Sequence, residues 1–429
     1  MKYAVVLGGG MGGLLAARVL AAHFDQVTIV ERDTGDGARP RRGVPQGRHP
    51  HTVLQRTSQL LEGLFPGLHE EYAAAGAQRV GLLDEVRVRL YGHQLCRPPI
   101  GWEMLWASRP LLEHGVRARV TALPNVVLRQ GWEAIAPIAP DPGRIAGVVV
   151  TARDGTRTES LPADLVVDAT GRTPRSLSWL KDLGYAPPKE DRTRVKLAYA
   201  SRVLRCADDV LDGDRMVAIG PVPERPQGMI FTVQEHGRWL LTVYGYGDHR
   251  PGADRFMEHV RAVAPGDVWE VVSAAEPLGE VSVFQFPETC RRRYESLSRF
   301  PAGLIVVGDA LCSVNPIYGN GMLLAATQAT ILDRVLGQGL GSRGFFAAAA
   351  RALAGPWWLG VISDANIPGV PGPPGASMAA GYVRRFVAAA AHDPVLATEF
   401  IKVVGAVRPP LSLVRPAFIA RMLRSVRSG

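Results

Sequence analysis

Cysteines and long apolar runs are scarce in this sequence of 429 residues, and both shortages narrow what the protein can be. The four cysteines are widely separated and form no CxxC pair, so neither a metal site nor a disulfide framework is predicted. No stretch reaches about 18 uninterrupted apolar residues, and the chain opens on a strand-like segment without the charged start of a signal peptide. We therefore expect a cytoplasmic protein with no bound metal and no transmembrane segment.

Nucleic-acid-binding motifs are also lacking. No zinc-finger spacing, helix-turn-helix or ribonucleoprotein motif accompanies the net charge of +9, and the basic residues are spread along the chain, so no nucleic-acid partner is expected. The basic and apolar segment at residues 413–426 leaves a peripheral position at a membrane open, beside the alternative of packing on its own protein. A composition of 47% hydrophobic and 21% charged residues is that of a soluble globular enzyme.

What the sequence does contain is a glycine turn after a buried strand. Tyr3–Leu7 is an apolar run without alternation, typical of a parallel strand buried on both faces. In the GxGxxG pattern that follows, the first glycine permits a tight turn and the second lets a pyrophosphate approach the backbone. The third allows close packing of a helix, predicted over residues 14–24. The residues assigned to nucleotide binding here are Gly8, Gly10, Met11, Gly12 and Gly13.

An acidic residue ends the next predicted strand, over residues 27–30. Glu31 lies 18 residues after Gly13. A carboxylate there accepts hydrogen bonds from both ribose hydroxyls and repels a 2′-phosphate, which favours FAD or NAD over NADP. NAD dehydrogenases share this arrangement, so the choice between the two depends on the rest of the chain.

Two later segments favour FAD. Residues 164–172 are predicted to form a strand ending in Ala-Thr-Gly, where flavoproteins of this architecture return to the nucleotide, and residues 303–310 a strand that delivers Asp309. A loop and an alanine-rich helix, predicted over residues 323–336, come next. We expect Asp309 to bind the ribityl hydroxyls and the helix N-terminus to place backbone N–H groups against the flavin ring.

These motifs resemble those of aromatic-hydroxylase-type flavoproteins, in which Gly-Asp is followed by a proline and a Gly-x-Gly loop. Residues 43–51, 107–113 and 315–322 resemble actinobacterial polyketide-tailoring flavin epoxidases, including those of polyether ionophore pathways, and squalene epoxidase is more distantly similar. The resemblance extends over most of the chain. It implies a monooxygenase of polyketide or antibiotic biosynthesis with non-covalently bound FAD.

The resemblance also implies roles for single residues. Glu31 and Arg32 would meet the adenosine end of FAD, and Arg109 would reach its phosphate or ribityl region. Residues 41–51 would lie near the isoalloxazine, with a solvated basic loop as the alternative. The other residues assigned to FAD are Arg42, Gln46, Asp168, Gly171, Pro316, Gly319, Asn320, Gly321 and Met322.

One departure from the aromatic hydroxylases concerns the electron donor. Those enzymes carry an Asp-Gly motif that serves both FAD and NAD(P)H, whereas this sequence has Asp-Ala-Thr-Gly-Arg at residues 168–172. Electrons are expected either directly from NAD(P)H or as reduced flavin from a partner reductase, and both alternatives stay open.

Between the two later strands lies a region of strand-like alternation, expected to form the sheet of a substrate domain. Its candidates for lining a substrate cavity, with plain core packing as the alternative, are Phe231, Tyr244, Tyr246 and Phe284. The predicted fold is α/β: a Rossmann-like FAD-binding domain (residues 1–185 and 299–345) interleaved with a β-sheet substrate domain (186–298). A helical C-terminal module (346–429) follows, with helix predicted over residues 382–404 and 413–426.

The predicted reaction transfers one atom of O₂, through a flavin C4a-(hydro)peroxide, to a sizeable lipophilic polyketide or terpenoid alkene by epoxidation or hydroxylation. This chemistry needs no side-chain acid or base, and no catalytic residue is assigned. A flavin-dependent reductase or dehydrogenase resembling geranylgeranyl reductase is the alternative. Flavin halogenases share the fold but carry a WxWxIP segment, which none of the eight tryptophans here forms.

Overall fold

The computed structural model describes residues 1–35, 45–51, 53–207 and 209–425, with the side chains at positions 45 and 46 left out of the description. Over these residues the strands are β1 Tyr3–Leu7, β2 Gln26–Glu31, β3 Gln78–Gly81, β4 Val86–Leu90, β5 His93–Gln94, β6 Glu103–Trp106, β7 Val126–Gln130, β8 Trp132–Pro137, β9 Gly147–Ala152, β10 Thr158–Pro162, β11 Leu165–Asp168, β12 Lys189–Arg205, β13 Met216–Ile219, β14 Gln227–Val233, β15 Arg238–Tyr246, β16 Glu276–Pro277, β17 Ser282–Arg293, β18 Leu304–Val306 and β19 Cys312–Ser313. The α-helices are α1 Met11–Leu20, α2 Gln55–Leu64, α3 Leu68–Ala74, α4 Arg109–Thr121, α5 Arg175–Asp182, α6 Phe256–Val263, α7 Gly266–Ala274, α8 Asn320–Gly337, α9 Ser342–Asp364, α10 Ala376–Ala390, α11 Pro394–Val404 and α12 Pro416–Ser425.

A parallel sheet of order β18-β11-β1-β2-β7 organises the first half of the fold. The apolar run of β1 is buried on both faces, as its sequence predicts. Val6 belongs to the core that includes residues of α1, α4 and α8. Val5 packs on the other face, against the small sheet β10-β9-β8. Because every pairing in this sheet is parallel, the turns that follow its strands meet at one edge.

A larger, mostly antiparallel sheet lies across that edge, with strand order β19-β17-β12-β15-β14-β13-β4-β5. One face packs on helices α6, α7, α10 and α11 through a core that includes Phe256, Val268, Phe386 and Leu396. The other face carries Tyr199, Tyr244 and other aromatic residues. The sheet takes β4 and β5 from before residue 186 and β19 from after residue 298, so it receives strands from both sides of the predicted substrate domain.

Three helices differ from the sequence-based prediction. Helix α1 spans Met11–Leu20 and not residues 14–24, because the glycines of the turn also form its first turn. Helix α8 begins at Asn320, before residue 323. Residues 382–404 do not form one helix: Asp393 accepts hydrogen bonds from the backbone N–H groups of Val395 and Leu396, so α11 starts anew there.

Helix α9 is long and apolar enough to cross a membrane by length and composition alone. Of its most apolar 18-residue window, 44% is buried inside the protein, where Phe345, Phe346 and Leu353 pack into the core shared with α8. The expected lack of a transmembrane segment stays a prediction.

Together, the parallel sheet, the large sheet and the helical C-terminal region confirm the predicted mixed α/β fold. The predicted domain limits are not tested by this arrangement.

Candidate active site

A cavity of about 1140 Å³ lies between the parallel sheet and the large sheet. Its lining comes from the turns after β1, β11 and β18 and the end of β2, and on the opposite side from β12, β14, β15 and β17. Open α/β sheets bind ligands in such a crevice beyond the carboxyl ends of their strands. The volume exceeds the roughly 300–1,000 Å³ of most small-molecule sites, which suits a dinucleotide together with a second molecule.

The turn after β1 brings bare backbone to the cavity. An added Cβ at Gly8, where φ is +96°, would lie 2.6 Å from the carbonyl oxygen of Ala169, and one at Gly13 would lie 1.8 Å from that of Gly8. Neither position can accommodate a side chain. Gly13 packs behind the wall, and the turn residues that line the cavity are Gly8, Gly10, Met11 and Gly12.

Glu31, at the end of β2, holds this turn in place. Its Oε2 accepts a hydrogen bond from the Gly9 N–H at 2.7 Å, and its Oε1 accepts one from the Asp33 N–H at 2.8 Å. Glu31 and Arg32 both line the cavity. Since a carboxylate has about four lone-pair sites, Glu31 can also accept hydrogen bonds from ribose hydroxyls, and that predicted role is compatible with its contacts.

Arg109, the first residue of α4, also lines the cavity. Its Nη2 donates to Glu113 at 3.3 Å, while its buried Nε has no hydrogen-bond partner among the described residues. Burial, followed by the positive charge of Arg109, lowers the pKa of His51 to about 3. Arg109 is therefore a buried cation at the cavity with a donor still available, and it is the residue predicted to meet the phosphate or ribityl region of FAD.

Asp309 and the start of α8 lie together on the cavity wall. No described side chain donates a hydrogen bond to the Asp309 carboxylate, and burial raises its pKa against the opposing effects of Arg172, Arg109 and Arg292. Gly319, with φ of +67°, turns the chain into α8. Of the residues assigned to FAD around the start of α8, four line the cavity: Pro316, Gly319, Gly321 and Met322. Asn320 is buried and does not line it.

Asp168 does not line the cavity, in contrast to its predicted contact with FAD. It is fully buried, and its Oδ1 accepts from the backbone N–H and the hydroxyl of Thr170 at 3.0 and 2.6 Å. Its Oδ2 accepts from the Ser176 N–H at 2.7 Å, at the start of α5. Asp168 therefore shapes the turn that presents Gly171 to the cavity, and it acts through that turn.

A row of aromatic side chains forms the opposite wall. Tyr199 of β12 pairs with Tyr244 of β15 on one side and with Phe284 of β17 on the other, and all three line the cavity. The rings of Tyr199 and Phe284 stack with centroids 5.5 Å apart. Tyr199 is missing from the sequence-based candidates, although the alternation of β12 places it on the face of Tyr244 once the register is known.

Two of the four predicted cavity residues lie elsewhere. Phe231 points to the other face of the large sheet, because its neighbour Ile230 lies on the cavity face. There its ring packs against that of Trp239 in the core. Tyr246 lies on the correct face but at the end of β15, where Ile367 packs in the same cluster. Its hydroxyl accepts a hydrogen bond from Asn315 Nδ2 at 3.2 Å.

A hydrogen-bonded chain connects the segment before α2 to the aromatic wall. His49 Nδ1 lies 2.7 Å from the Ser201 hydroxyl, which lies 2.6 Å from the Thr242 hydroxyl, and His49 and Thr242 both line the cavity. Burial and the nearby Arg48 lower the pKa of His49 to about 4, so it is neutral at pH 7. Of the other residues predicted in this segment, Arg42 and the side chain of Gln46 lie outside the described residues.

Comparison with known proteins identifies the family of the chain. Residues 2–344 match the FAD binding domain family. The chain belongs to this family. A relative in Mycobacterium tuberculosis, the protein Rv3254, is 33% identical over 422 residues, which cover 93% of this chain and 88% of that protein.

Solved structures of low sequence identity share the fold. The flavin-dependent brominase Bmp2 superposes with a TM-score of 0.70 at 15% identity, covering 100% of this chain and 99% of its own. The 2-methyl-3-hydroxypyridine-5-carboxylic acid oxygenase superposes with a TM-score of 0.61 at 18% identity, covering 85% and 91%. The predicted closeness to polyketide epoxidases stays a prediction.

The residues present fit FAD on three counts. The glycine turn lines the cavity with Gly8, Gly10 and Gly12 at the start of α1, where a pyrophosphate can approach the backbone. Asp309 and the Nε of Arg109 offer an acceptor and a donor that no described side chain uses. An added Cβ at Gly321 would meet no atom of another described segment within 4 Å although this glycine lines the cavity, so the start of α8 leaves space there for a flat ring.

Proposed function

We propose that the protein is an FAD-dependent monooxygenase that epoxidises or hydroxylates a sizeable apolar polyketide or terpenoid alkene. The continuity of the cavity carries this proposal, because the β1 turn, the start of α8 and the aromatic wall border one space. A cofactor at α8 and a substrate at the wall would share that space. When bound, FAD supplies the redox chemistry, taking up two electrons and activating O₂ for transfer to the substrate.

The nucleotide half of the cavity has the groups needed to bind FAD without a covalent bond. In this proposal Glu31 accepts hydrogen bonds from the adenosine ribose, Arg109 donates to the phosphate or ribityl region and Asp309 accepts from the ribityl chain. The N-terminal end of α8 stabilises negative charge on the ring through its backbone N–H groups and its dipole. Gly171, Pro316 and the glycines at 319 and 321 allow close approach.

The aromatic wall has two duties in the proposed reaction. Tyr199, Tyr244 and Phe284 exclude water from the reacting atoms and orient an apolar double bond beside the ring. The histidine nearest the wall, His49, is neutral at pH 7 because its pKa is about 4. Epoxidation requires no general base, and no described residue is assigned as one.

Isotope transfer tests the reaction. FAD-loaded protein is reduced anaerobically, mixed with a candidate polyene and exposed to ¹⁸O₂, and the product is analysed by mass spectrometry. We expect one ¹⁸O atom per product molecule, reduced labelling with Asp309→Asn and normal labelling with the surface control Asp182→Asn. A product that lacks ¹⁸O and has lost a double bond would instead support the flavin-dependent reductase.

The electron donor is proposed to be a separate flavin reductase. The turn at residues 168–171 lacks the Asp-Gly motif through which related hydroxylases bind NAD(P)H, and the carboxylate of Asp168 is buried. Anaerobic mixing with NADH or NADPH should therefore bleach the flavin absorption much more slowly than mixing with a reductase and NADH. Fast bleaching by NAD(P)H alone would argue against a partner protein.

A further inference from the structure

Tyr199, in the centre of the aromatic wall, has a hydroxyl without a partner. Its side chain is 95% buried, and its Oη makes no hydrogen bond with any described residue. A buried polar group left unpaired costs about 1–3 kcal/mol, and such groups in native proteins call for an explanation. Because Tyr199 lines the cavity, a ligand can supply the missing partner.

Arg172 borders the same part of the cavity. Its guanidinium lies 4.6 Å from the centroid of the Phe286 ring, and its backbone carbonyl accepts a hydrogen bond from Arg292 Nη2 at 3.0 Å. Burial raises the pKa of both Tyr199 and Asp309, and the charge of Arg172 opposes this shift in each of them, so Arg172 acts on both walls of the cavity. The side chain is thus held over an aromatic ring and between the cofactor side and the sheet.

The neighbouring arginines form ion pairs with carboxylates of the protein, whereas Arg172 forms none with the described residues. Arg192 pairs with Glu190 and Glu288, and Arg292 pairs with Glu190 at 2.9 Å. Within the described part of the chain, no carboxylate lies within the 4.0 Å of an ion pair from the Arg172 guanidinium. Its donors are therefore open to a ligand.

A guanidinium and a phenol offer donors to the same kind of ligand group. Arginine binds a carboxylate through two parallel hydrogen bonds, and the tyrosine hydroxyl adds a third. Around these donors the wall is apolar and aromatic, with Phe284, Phe286 and Ile230. A phosphate of FAD is expected instead at the glycine turn after β1.

We propose that Arg172 and Tyr199 form a subsite for the carboxylate of the substrate, which would then be an unsaturated, otherwise apolar acid. This inference deepens the proposed function and depends on it for the identity of the occupant. The aromatic row binds the unsaturated carbon chain, and the subsite fixes which of its double bonds lies beside the cofactor.

A matched pair of probes tests the subsite on the FAD-loaded protein. All-trans-retinoate and its methyl ester share a conjugated chain and differ in the anionic group, and their binding is followed by calorimetry and by the change in flavin absorption. We expect the acid to bind roughly 10-fold or more tightly than the ester, the range of a charge-assisted hydrogen bond. The preference should vanish in Arg172→Met, weaken in Tyr199→Phe, partly persist in Arg172→Lys and stay unchanged in the surface control Arg255→Met.

Three results would overturn the subsite. One is a wild-type protein with no preference for the acid, including one that binds neither probe. Another is an Arg172→Met variant that keeps the preference. A third is a loss of FAD affinity in Arg172→Met, since it would assign this residue to the cofactor. Failure of the monooxygenase proposal is seen separately, as retinoate that binds with the expected preference but takes up no ¹⁸O in the reduced enzyme.

Discussion

Glu31 and Asp309 are two acidic residues of one cavity with different surroundings. Backbone N–H groups of Gly9 and Asp33 hold the Glu31 carboxylate, whereas no described side chain donates to that of Asp309. Glu31 therefore links the shape of the glycine turn to ribose binding. Asp309 can be satisfied by the cofactor itself.

Replacing Glu31 by glutamine should weaken FAD binding. Glutamine has one acceptor oxygen where glutamate has two, so one of the N–H groups at Gly9 and Asp33 would face an NH₂ group. The remaining oxygen is then needed by the turn, so a ribose hydroxyl loses its acceptor; a lost hydrogen bond to a charged group costs about 1.5–3 kcal/mol, or about 10- to 150-fold in affinity. Flavin fluorescence titration measures the change, with the exposed Glu258→Gln as control. FAD affinity equal to wild type would show that the turn does not depend on Glu31.

Asp364, near the end of α9, is a buried acid outside the cavity. Its Oδ1 accepts hydrogen bonds from Asn315 Nδ2 at 2.7 Å and from the Tyr318 hydroxyl at 2.8 Å. Burial raises its pKa from 3.8 to about 7, with the hydrogen bonds from Tyr318 and Asn315 opposing the shift. The residue thus fastens the C-terminal helices to the segment that leads into α8.

Asp364→Asn should change how stability depends on pH. Between the unfolded pKa of 3.8 and the folded pKa of about 7, the folded state holds a proton that the unfolded state has lost. The contribution of Asp364 is therefore fully present below the lower value and is lost as pH rises, by an amount on the order of 4 kcal/mol. Asparagine keeps the acceptor oxygen without the ionisation.

Thermal unfolding from pH 5 to pH 8 measures this effect. The Tm of Asp364→Asn should gain on that of wild type as pH rises and then level off, while Asp182→Asn, an exposed control, should follow wild type throughout. A constant difference between Asp364→Asn and wild type over this range would contradict the raised pKa of Asp364.

At the level of elements, the start of α8 contains a glycine at a position where packing would allow a side chain. Gly321 is the second residue of this helix and lines the cavity, yet among the described residues no atom outside the helix lies within 4 Å of an added Cβ. A glycine in a helix is less favourable than alanine by roughly 0.5–1 kcal/mol. The packing of the described residues does not require a glycine here, whereas the proposed cofactor would.

Gly321→Ala should separate stability from cofactor binding. Without FAD, its Tm should equal or slightly exceed that of wild type, because the helix gains and nothing clashes. With FAD, affinity should fall at least about 10-fold, since losing close contact at the ring costs more than about 1.4 kcal/mol. Gly266→Ala, at the first residue of α7, provides the control with open space and no cavity. Wild-type FAD affinity in Gly321→Ala would place the ring elsewhere.

The sequence predicts elements well where one local pattern decides them. The buried run of β1 and the two returning strands β11 and β18 follow from apolar patterning. Alternation separates the two faces of a strand without saying which one meets the cavity, so for Phe231 it leaves both cavity lining and core packing open, and the structure shows core packing. The break at Asp393 is visible in the sequence as an Asp-Pro cap, a signal that the prediction of one helix over residues 382–404 overlooked.

For the site, the sequence predicts residues on turns better than residues on sheets. Gly8, Arg109 and Asp309 lie at chain positions fixed by a motif, and the structure brings them to one cavity. Tyr199 depends on strand register, and the place of Arg172, on the turn after β11, depends on the packing of one sheet over another; no local pattern contains either. Asp168, at the end of a predicted strand, is among the residues assigned to FAD, but its carboxylate accepts hydrogen bonds from the turn that follows the strand.

At the scale of the whole molecule, the two sheets build one cavity that neither could form alone. The large sheet takes β4, β5 and β19 from outside residues 186–298, so its strands come from both sides of the predicted substrate domain. Residues after 344 lie beyond the match to the FAD binding domain family. Those residues include α10 and α11, which pack on the far face of the large sheet and support the aromatic wall from behind.

FAD is proposed to bind along the length of one cavity, from the glycine turn to the start of α8. Calorimetric titration of flavin-free protein with FAD, FMN and AMP tests it most directly, because FMN and AMP each carry one end of the cofactor. We expect one FAD per chain and binding at least about 100-fold tighter than that of either part, since the two ends bind as one linked molecule. FMN binding as tight as FAD, or no FAD binding at all, would contradict the account.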